Sequence, residues 1–104
     1  MISKKPDQCE SMEDIRNEID RIDHQIINLF AERLQYVEEI VRFKKDEESV
    51  IAQKRKDFVI NQRATWASEK GLDRAVFNKI YTLLVESNIA HELELLKSKK
   101  LKTS

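Results

Sequence analysis

Residues 12–43 read MEDIRNEIDRIDHQIINLFAERLQYVEEIVRF, and this stretch decides the fold of the chain. It contains neither glycine nor proline, and its apolar residues recur at steps of three and four, as they do along one face of an α-helix. Ser11, followed by Asp14 three residues later, is a start signal for a helix near Met12. The pattern predicts one amphipathic helix of roughly 33 residues, ending in the charged stretch KKDEES at 44–49. Its apolar stripe consists of Ile15, Ile19, Ile22, Ile26, Leu29 or Phe30, Val37 and Ile40.

A helix of this length is too long for a chain of 104 residues to cover alone. Roughly 33 residues of α-helix span about 50 Å, whereas a compact domain of this size has a radius of gyration of about 13 Å. Two shorter helices from the same chain cannot cover so long an apolar stripe. We therefore expect an obligate, intertwined homodimer with two-fold symmetry.

The remainder of the chain predicts a single all-α domain over residues 1–104. There is one glycine and one proline, 37% of the residues are charged, and no hairpin signal of the Asn-Gly type occurs. A second helix is predicted over residues 51–70, with Gly71 just beyond its end. Asp73 is the expected N-cap of a third helix, which runs to about residue 97. Residues 1–10 and 98–104 are expected to be flexible ends.

Composition and charge exclude several classes of function. Lysine plus arginine and aspartate plus glutamate both number 19, and this zero balance argues against a dedicated nucleic-acid-binding protein. Cys9 is the single cysteine and cannot form an internal disulfide, which indicates a reducing compartment. The first residues lack the apolar core of a signal peptide, and no stretch is apolar enough to span a membrane. We expect a cytoplasmic protein without a nucleic-acid or membrane partner.

Two cations interrupt the predicted stripe, at Arg33 and Lys44. They are eleven residues apart, so on a continuous helix both side chains leave from one face, at Cα positions roughly 16 Å apart. Unpaired buried cations are costly, so an anion is expected there, either a protein carboxylate or a ligand carboxylate. Arg16 lies about 25 Å from Arg33 along the same helix, so it could serve only the site of the partner chain. Arg55, early in the second helix, is a further candidate.

At this point the sequence resembles a known family. The run DIRNEIDRIDHQIINLFAERLQYVEEIVRFKK resembles the first helix of AroQ-class chorismate mutases. The resemblance continues through KRKDFV and NQRATWASEKGLD to VESNIAHELELL and covers roughly residues 7–97. Within this family, the sequence is most similar to the isochorismate-pyruvate lyase branch. That branch makes salicylate and pyruvate for siderophores and commonly keeps weak chorismate mutase activity. The resemblance implies an all-α intertwined homodimer with two equivalent sites.

The resemblance also implies roles for the cations. Arg16 would reach into the other subunit's site and hold one substrate carboxylate, and Arg33 would pair with the second. Lys44 would donate to the ether oxygen of the enolpyruvyl group, and Arg55 would add positive charge near the ring. Chorismate and isochorismate are small dianions whose reactions are pericyclic, so the enzyme needs a preorganised pocket and no nucleophile, metal or cofactor. Neither of the two histidines has a suitably spaced metal-ligand partner.

Asn88 and Glu92, one turn apart on the third helix, would close the far side of the pocket. The family usually carries glutamine at the position of Glu92, as a neutral donor to the ether oxygen, so Glu92 is expected to work only when protonated. Many mutases also carry an aspartate where this chain has Ala52, which favours the lyase branch. Two rivals stay open, a chorismate mutase proper and a non-catalytic helical dimerisation or regulatory module.

Overall fold

The computed structural model describes residues 3–103, and all of their regular structure is helical. The α-helices are α1 (Met12–Ile40), α2 (Glu47–Ile51), α3 (Gln53–Glu69) and α4 (Arg74–Thr103). Two single turns of 3₁₀-helix, Pro6–Gln8 and Val41–Phe43, precede and follow α1. The predicted all-α class, with three long helices, is confirmed. None of the helices within the described residues is long and apolar enough to cross a membrane.

The start of α1 follows the sequence signal. The Ser11 hydroxyl accepts a hydrogen bond from the Asp14 N–H at 3.0 Å, so Ser11 is the N-cap. The Asp14 carboxylate accepts from the N–H of Glu10 at 3.0 Å, one residue before the position expected of a capping box. The predicted start near Met12 is therefore confirmed.

The end of α1 corrects one prediction. The α-helix stops at Ile40, the chain tightens into the 3₁₀ turn Val41–Phe43, and Lys44 is extended at φ −93°, ψ 136°. A rotation of about 100° per residue does not continue through such a change of backbone. The prediction that Lys44 lies on the helical face of Arg33 was therefore wrong in its premise, because Lys44 lies beyond the helix.

A second correction concerns residues 44–52. The Asp46 carboxylate accepts from the N–H of Ser49 at 2.8 Å and caps α2, which begins within the charged stretch 44–49 where the first helix was expected to end. Ala52 then takes the left-handed conformation, φ 39° and ψ 62°, and separates α2 from α3. A helix beginning at residue 51 was predicted, whereas the structure has two helices with a break at Ala52.

The junction between α3 and α4 is as predicted. Gly71 has φ 81°, which glycine adopts without strain, and its N–H donates to Ser68 O at 3.1 Å. The Leu72 N–H donates to Ala67 O at 2.9 Å, which completes a Schellman motif. Asp73 caps α4 by accepting from the Val76 N–H at 3.0 Å. α4 then continues to Thr103, so residues 98–103, expected as part of a flexible end, are helical.

The chain divides into two units. In the N-terminal unit, residues 3–35, the Lys4 ammonium pairs with Asp14 at 3.1 Å, and the Lys4 N–H donates to Glu18. No side chain of α1 is buried, and its isoleucines are 41–64% exposed. An apolar stripe left open in this way is unusual for a stable helix, because most helical stability comes from burying the apolar face.

The C-terminal unit, residues 36–103, contains the apolar core. α3 packs against α4 and α2 also contacts α4. The residues buried on α3 are Val59, Ile60, Ala64 and Ala67. A separate cluster joins the 3₁₀ turn, α2 and α4 through Val41, Val50 and Leu96, with Ile89, Leu93 and Leu95 packed around them.

Candidate functional site

Lys44 is held by its backbone and its side chain. Its N–H donates to Val41 O at 3.0 Å and closes the 3₁₀ turn. Its ammonium donates to Ser49 O, in α2, at 2.7 Å, and the residue is half-buried. An ammonium has three N–H donors, so the Ser49 contact leaves others that could meet a substrate oxygen.

Lys99 on α4 also contacts this segment. Its ammonium lies 3.4 Å from Val41 O, 3.1 Å from Arg42 O and 3.5 Å from Lys44 O. Sequence analysis missed this residue, because it treated the lysine-rich end of the chain as solvated. The signal available was a spacing of three residues from Leu96, which belongs to the predicted apolar face of the third helix.

Among the residues whose burial is described, Glu92 is the charged residue that is buried, with 8% of its surface exposed. It lies on α4, one turn after the half-buried Asn88 and one turn before the buried Leu96. These positions share one helical face, which packs at Leu96 against the cluster with Val41 and Val50. The expected pairing of Asn88 and Glu92 on one face of the third helix agrees with this geometry.

Arg55 lies in the first turn of α3 and is exposed. Its guanidinium stands over the Phe58 ring, 5.6 Å from the centroid. The neighbouring Lys56 pairs with Glu86 of α4 at 3.3 Å, which links the two helices near this point. The C-terminal unit thus carries four of the six predicted site residues, Lys44, Arg55, Asn88 and Glu92.

The other two, Arg16 and Arg33, lie on α1 in the N-terminal unit. Arg16 is exposed and Arg33 is half-buried. The helix is continuous between them, so they are about 25 Å apart along its axis and about 100° apart around it. This supports the argument that one straight helix cannot bring both arginines to a single small ligand.

The segment next to Lys44 also contains a perturbed carboxyl group. The Ser49 backbone N–H, and then the Ser49 hydroxyl, hold the pKa of Asp46 below its ordinary value. Lys100 and Lys45 act in the same direction. The lowered pKa keeps Asp46 ionised as the cap of α2. Its negative charge offsets part of the positive charge of Lys44, so this segment attracts an anion less strongly than Lys44 would by itself.

The donor set of the site contains amines, guanidiniums, an amide and a carboxyl group. Among residues 3–101 no three His, Cys, Asp or Glu side chains are grouped so as to hold a metal ion. Cationic groups of this kind suit a small dianion, because arginine binds carboxylates in a bidentate manner and lysine supplies a point charge.

Residues 15–93 match the family described as chorismate mutase type II. The chain belongs to the chorismate mutase type II family. It is also 34% identical over 91 residues to an isochorismate pyruvate lyase of Pseudomonas aeruginosa, a match that covers 88% of this chain and 90% of the relative. The protein is therefore an enzyme of the chorismate mutase type, whose members catalyse pericyclic reactions.

All six predicted site residues fall within the range that matches chorismate mutase type II, whereas Lys99 lies beyond it. The family match thus covers the part of the chain that sequence analysis singled out. The contacts of Lys99 are a feature of this chain that its own structure reveals.

Proposed function

We propose that the enzyme is an isochorismate-pyruvate lyase, which converts isochorismate to salicylate and pyruvate and retains weak chorismate mutase activity. The observation that carries this proposal is the 34% identity to an isochorismate pyruvate lyase along almost the whole of both chains. Ala52 supports it as well. Mutases that resemble this chain commonly have an aspartate at that position for the ring hydroxyl, and a methyl group cannot replace that acceptor.

The reaction needs no external electron donor or acceptor. The ether C–O bond of isochorismate breaks, one ring hydrogen moves to the methylene carbon of the enolpyruvyl group, and the ring becomes aromatic salicylate. Charge develops on the ether oxygen as its bond to the ring breaks. Catalysis therefore consists of holding a compact substrate conformation and placing hydrogen-bond donors at that oxygen.

In the proposed site, Lys44 donates to the ether oxygen and Glu92, when protonated, donates to the same atom. Arg33 binds one carboxylate and Arg55 adds positive charge near the ring. The half-buried state of Lys44 and the burial of Glu92 support these roles, since hydrogen bonds are stronger where water is largely excluded. Asn88, one turn from Glu92, closes the far side of the pocket.

We further propose an intertwined homodimer in which Arg16 of one chain binds the second carboxylate in the site of the other. The open apolar stripe of α1 supports this assembly, because Ile15, Ile19 and Ile22 remain 45–52% exposed in the single chain. A two-fold partner would cover that stripe and bring an arginine that α1 cannot deliver to its own Arg33.

The substrate experiment incubates the protein separately with isochorismate and with chorismate. Salicylate and pyruvate formed in equal amounts from isochorismate, with a much lower kcat/KM for prephenate formation from chorismate, is the expected result. A higher kcat/KM on chorismate would make the enzyme a mutase proper. Binding of neither dianion by calorimetry would instead support a non-catalytic helical module.

The shared site is tested by mixing subunits. Arg16→Ala and Lys44→Ala chains are each expected to be nearly inactive as homodimers. After exchange, half of the dimers are mixed and each has one intact site, so about a quarter of wild-type turnover should return. An inactive mixture, with exchange verified by mass spectrometry, would place Arg16 in its own chain's site, and wild-type turnover of Arg16→Ala alone would place it outside any site.

A further inference from the structure

The ammonium of Lys99 lies among three backbone carbonyl oxygens at the end of the α1 segment. The distances are 3.4 Å to Val41 O, 3.1 Å to Arg42 O and 3.5 Å to Lys44 O. Carbonyl groups at the end of a helix lack helical partners and carry the negative end of the helix dipole. A lysine from another helix, 55 to 58 residues along the chain, therefore adds a donor to the local cap, in which the Lys44 N–H bonds to Val41 O.

The position of Lys99 is fixed by the packing beside it. Leu96, three residues earlier on α4, is 3% exposed and packs with Val41 and Val50. This apolar contact anchors α4 to the 3₁₀ turn and to α2, so the flexible lysine side chain starts from a fixed backbone. Its three N–H donors match three acceptors in a small volume.

These contacts complete a set that defines the orientation of Lys44. The Lys44 N–H donates to Val41 O, its carbonyl oxygen lies within reach of Lys99, and its ammonium donates to Ser49 O. Without Lys99, Val41 O, Arg42 O and Lys44 O would lose the donor that α4 supplies to them. The direction in which the Lys44 side chain leaves the backbone would then vary.

We propose that Lys99 is a positioning residue that holds the backbone of residues 41–44 so that Lys44 meets the ether oxygen of the substrate. The inference rests on the role proposed for Lys44 in the lyase reaction. Lys99 does not touch the substrate. Its contribution is to geometry, and a displacement of a catalytic group by about 1 Å can lower the rate by up to roughly a hundredfold.

The experiment compares Lys99→Met with Lys99→Arg and the matched control Lys97→Met in the full-length chain. Methionine keeps most of the length of lysine and removes its donors, arginine keeps donors, and Lys97 is an exposed lysine of the same helix. Hydrogen exchange of residues 41–49 and the turnover of isochorismate are measured for each. Lys99→Met should speed exchange in this segment and lower kcat roughly tenfold, with KM within about twofold because the arginines hold the carboxylates.

Lys99→Arg should restore much of both properties, and Lys97→Met should match wild type. The double variant Lys44→Ala with Lys99→Met should be no slower than Lys44→Ala alone, since Lys99 acts through Lys44. A further loss in the double variant, or either exchange or kcat in Lys99→Met equal to that of Lys97→Met, would overturn the inference. Wild-type protein inactive on both dianions would refute the proposed function, whereas unchanged exchange in Lys99→Met refutes the role of Lys99 whatever the activity.

Discussion

The two units of the chain differ in how their apolar residues are used. None of residues 3–40 is buried, although α1 carries a regular stripe of isoleucines. The unit from residue 36 onward contains all the buried apolar residues described, in the α3–α4 contact and in the cluster of Val41, Val50 and Leu96. The first region is therefore an amphipathic element whose apolar face is open in the single chain, and the second is a packed scaffold.

The same difference applies to the charges. In the N-terminal unit, the Glu10 N–H and then the Lys4 ammonium lower the pKa of Asp14, and Arg21 lowers that of Glu18. The contacts of Asp14 are exposed and join the segment before α1 to its first turn. In the C-terminal unit, Glu92 is buried on α4 near the packed cluster, and the exposed Lys99 donates from α4 to the backbone of residues 41–44. Catalytic groups that need a fixed geometry are thus expected there.

Ile22→Asp, in the apolar stripe of α1, should have the largest effect on the difference between the two units. If a second chain covers the α1 stripe, a carboxylate at its middle should separate the dimer and lower the free energy of unfolding by at least about 2 kcal/mol. Tm should fall by roughly 8–16 °C. Sedimentation and thermal unfolding measure both effects. Asn28→Asp, on the polar side of α1, is the control and should stay within about 0.5 kcal/mol. Equal behaviour of the two variants would mean that the stripe faces solvent.

Lys44→Ala tests the chemistry assigned to the packed region. Removal of a donor to the developing charge should lower kcat on the order of 10²–10³-fold while the protein stays folded and dimeric. Lys45→Ala, the exposed neighbour, is the control and should retain near wild-type turnover. Lys44→Ala with wild-type turnover would exclude Lys44 as the donor to the ether oxygen.

Glu92→Gln tests the packed region through the pH dependence of turnover. A carboxyl group donates a hydrogen bond only when protonated, and burial favours its neutral form. Wild-type turnover should therefore fall as pH rises, whereas the glutamine variant should keep its donor and lose that descent. Rate profiles from about pH 4.5 to 8.5 measure this, and Glu94→Gln, exposed two residues away, is the control. An unchanged alkaline descent in Glu92→Gln would indicate that an ionised Glu92 only braces the site.

Ala52→Gly addresses the break between α2 and α3. A non-glycine residue in the left-handed region costs about 1–2 kcal/mol, and part of that cost is offset by the greater freedom of glycine in the unfolded chain. The variant should gain about 0.5–1 kcal/mol in free energy of unfolding, measured by denaturant titration. Ala90→Gly, in the regular part of α4, should lose about 1 kcal/mol. Destabilisation by both changes would argue against strain at Ala52.

Asp46→Asn should have the smallest effect. Ser49 lowers the pKa of Asp46 in the folded chain, so this carboxylate contributes stability that is present above its unfolded pKa and is lost as pH falls through the folded value. Between about pH 4 and pH 2, Tm of the wild type should fall more steeply than that of the asparagine variant, because asparagine also caps helices but does not titrate. Asp20→Asn is the control. Parallel Tm profiles for wild type and Asp46→Asn would refute the linkage.

The parts of the fold that sequence predicts well are set by local chemistry. Ser11 and Asp73 bond to backbone groups three residues away, and Gly71 supplies the one conformation that other residues avoid. The cap of α2 was missed although its signal, Asp46 with Ser49 three residues later, was visible. The break at Ala52 had no such signal, since alanine favours helices and only the surrounding structure can hold it at positive φ.

The site residues were predicted from charge on an apolar stripe and from family resemblance, and their roles remain proposals. Arg33 lies on α1, as the helical pattern predicted, whereas Lys44 lies beyond the helix because a 3₁₀ turn intervenes. The spacing from Leu96 could have placed Lys99 near the apolar face of α4, but its partners could not be predicted, since they are 55 or more positions away. Contacts of this kind depend on how α4 packs, which no local pattern encodes.

Leu96 packs on Val41 and Val50, and Lys99 contacts the backbone of residues 41–44. These contacts can form only after α4 has been synthesised. A ribosome that adds 5–20 residues per second needs roughly 3–11 s to pass from Lys44 to Lys99, 55 residues later. During that interval the nascent chain exposes Val41 and Val50 without their cover, together with the whole stripe of α1. Slow translation over α4 would lengthen the exposure and would give chaperones that bind apolar helices more time to bind this surface.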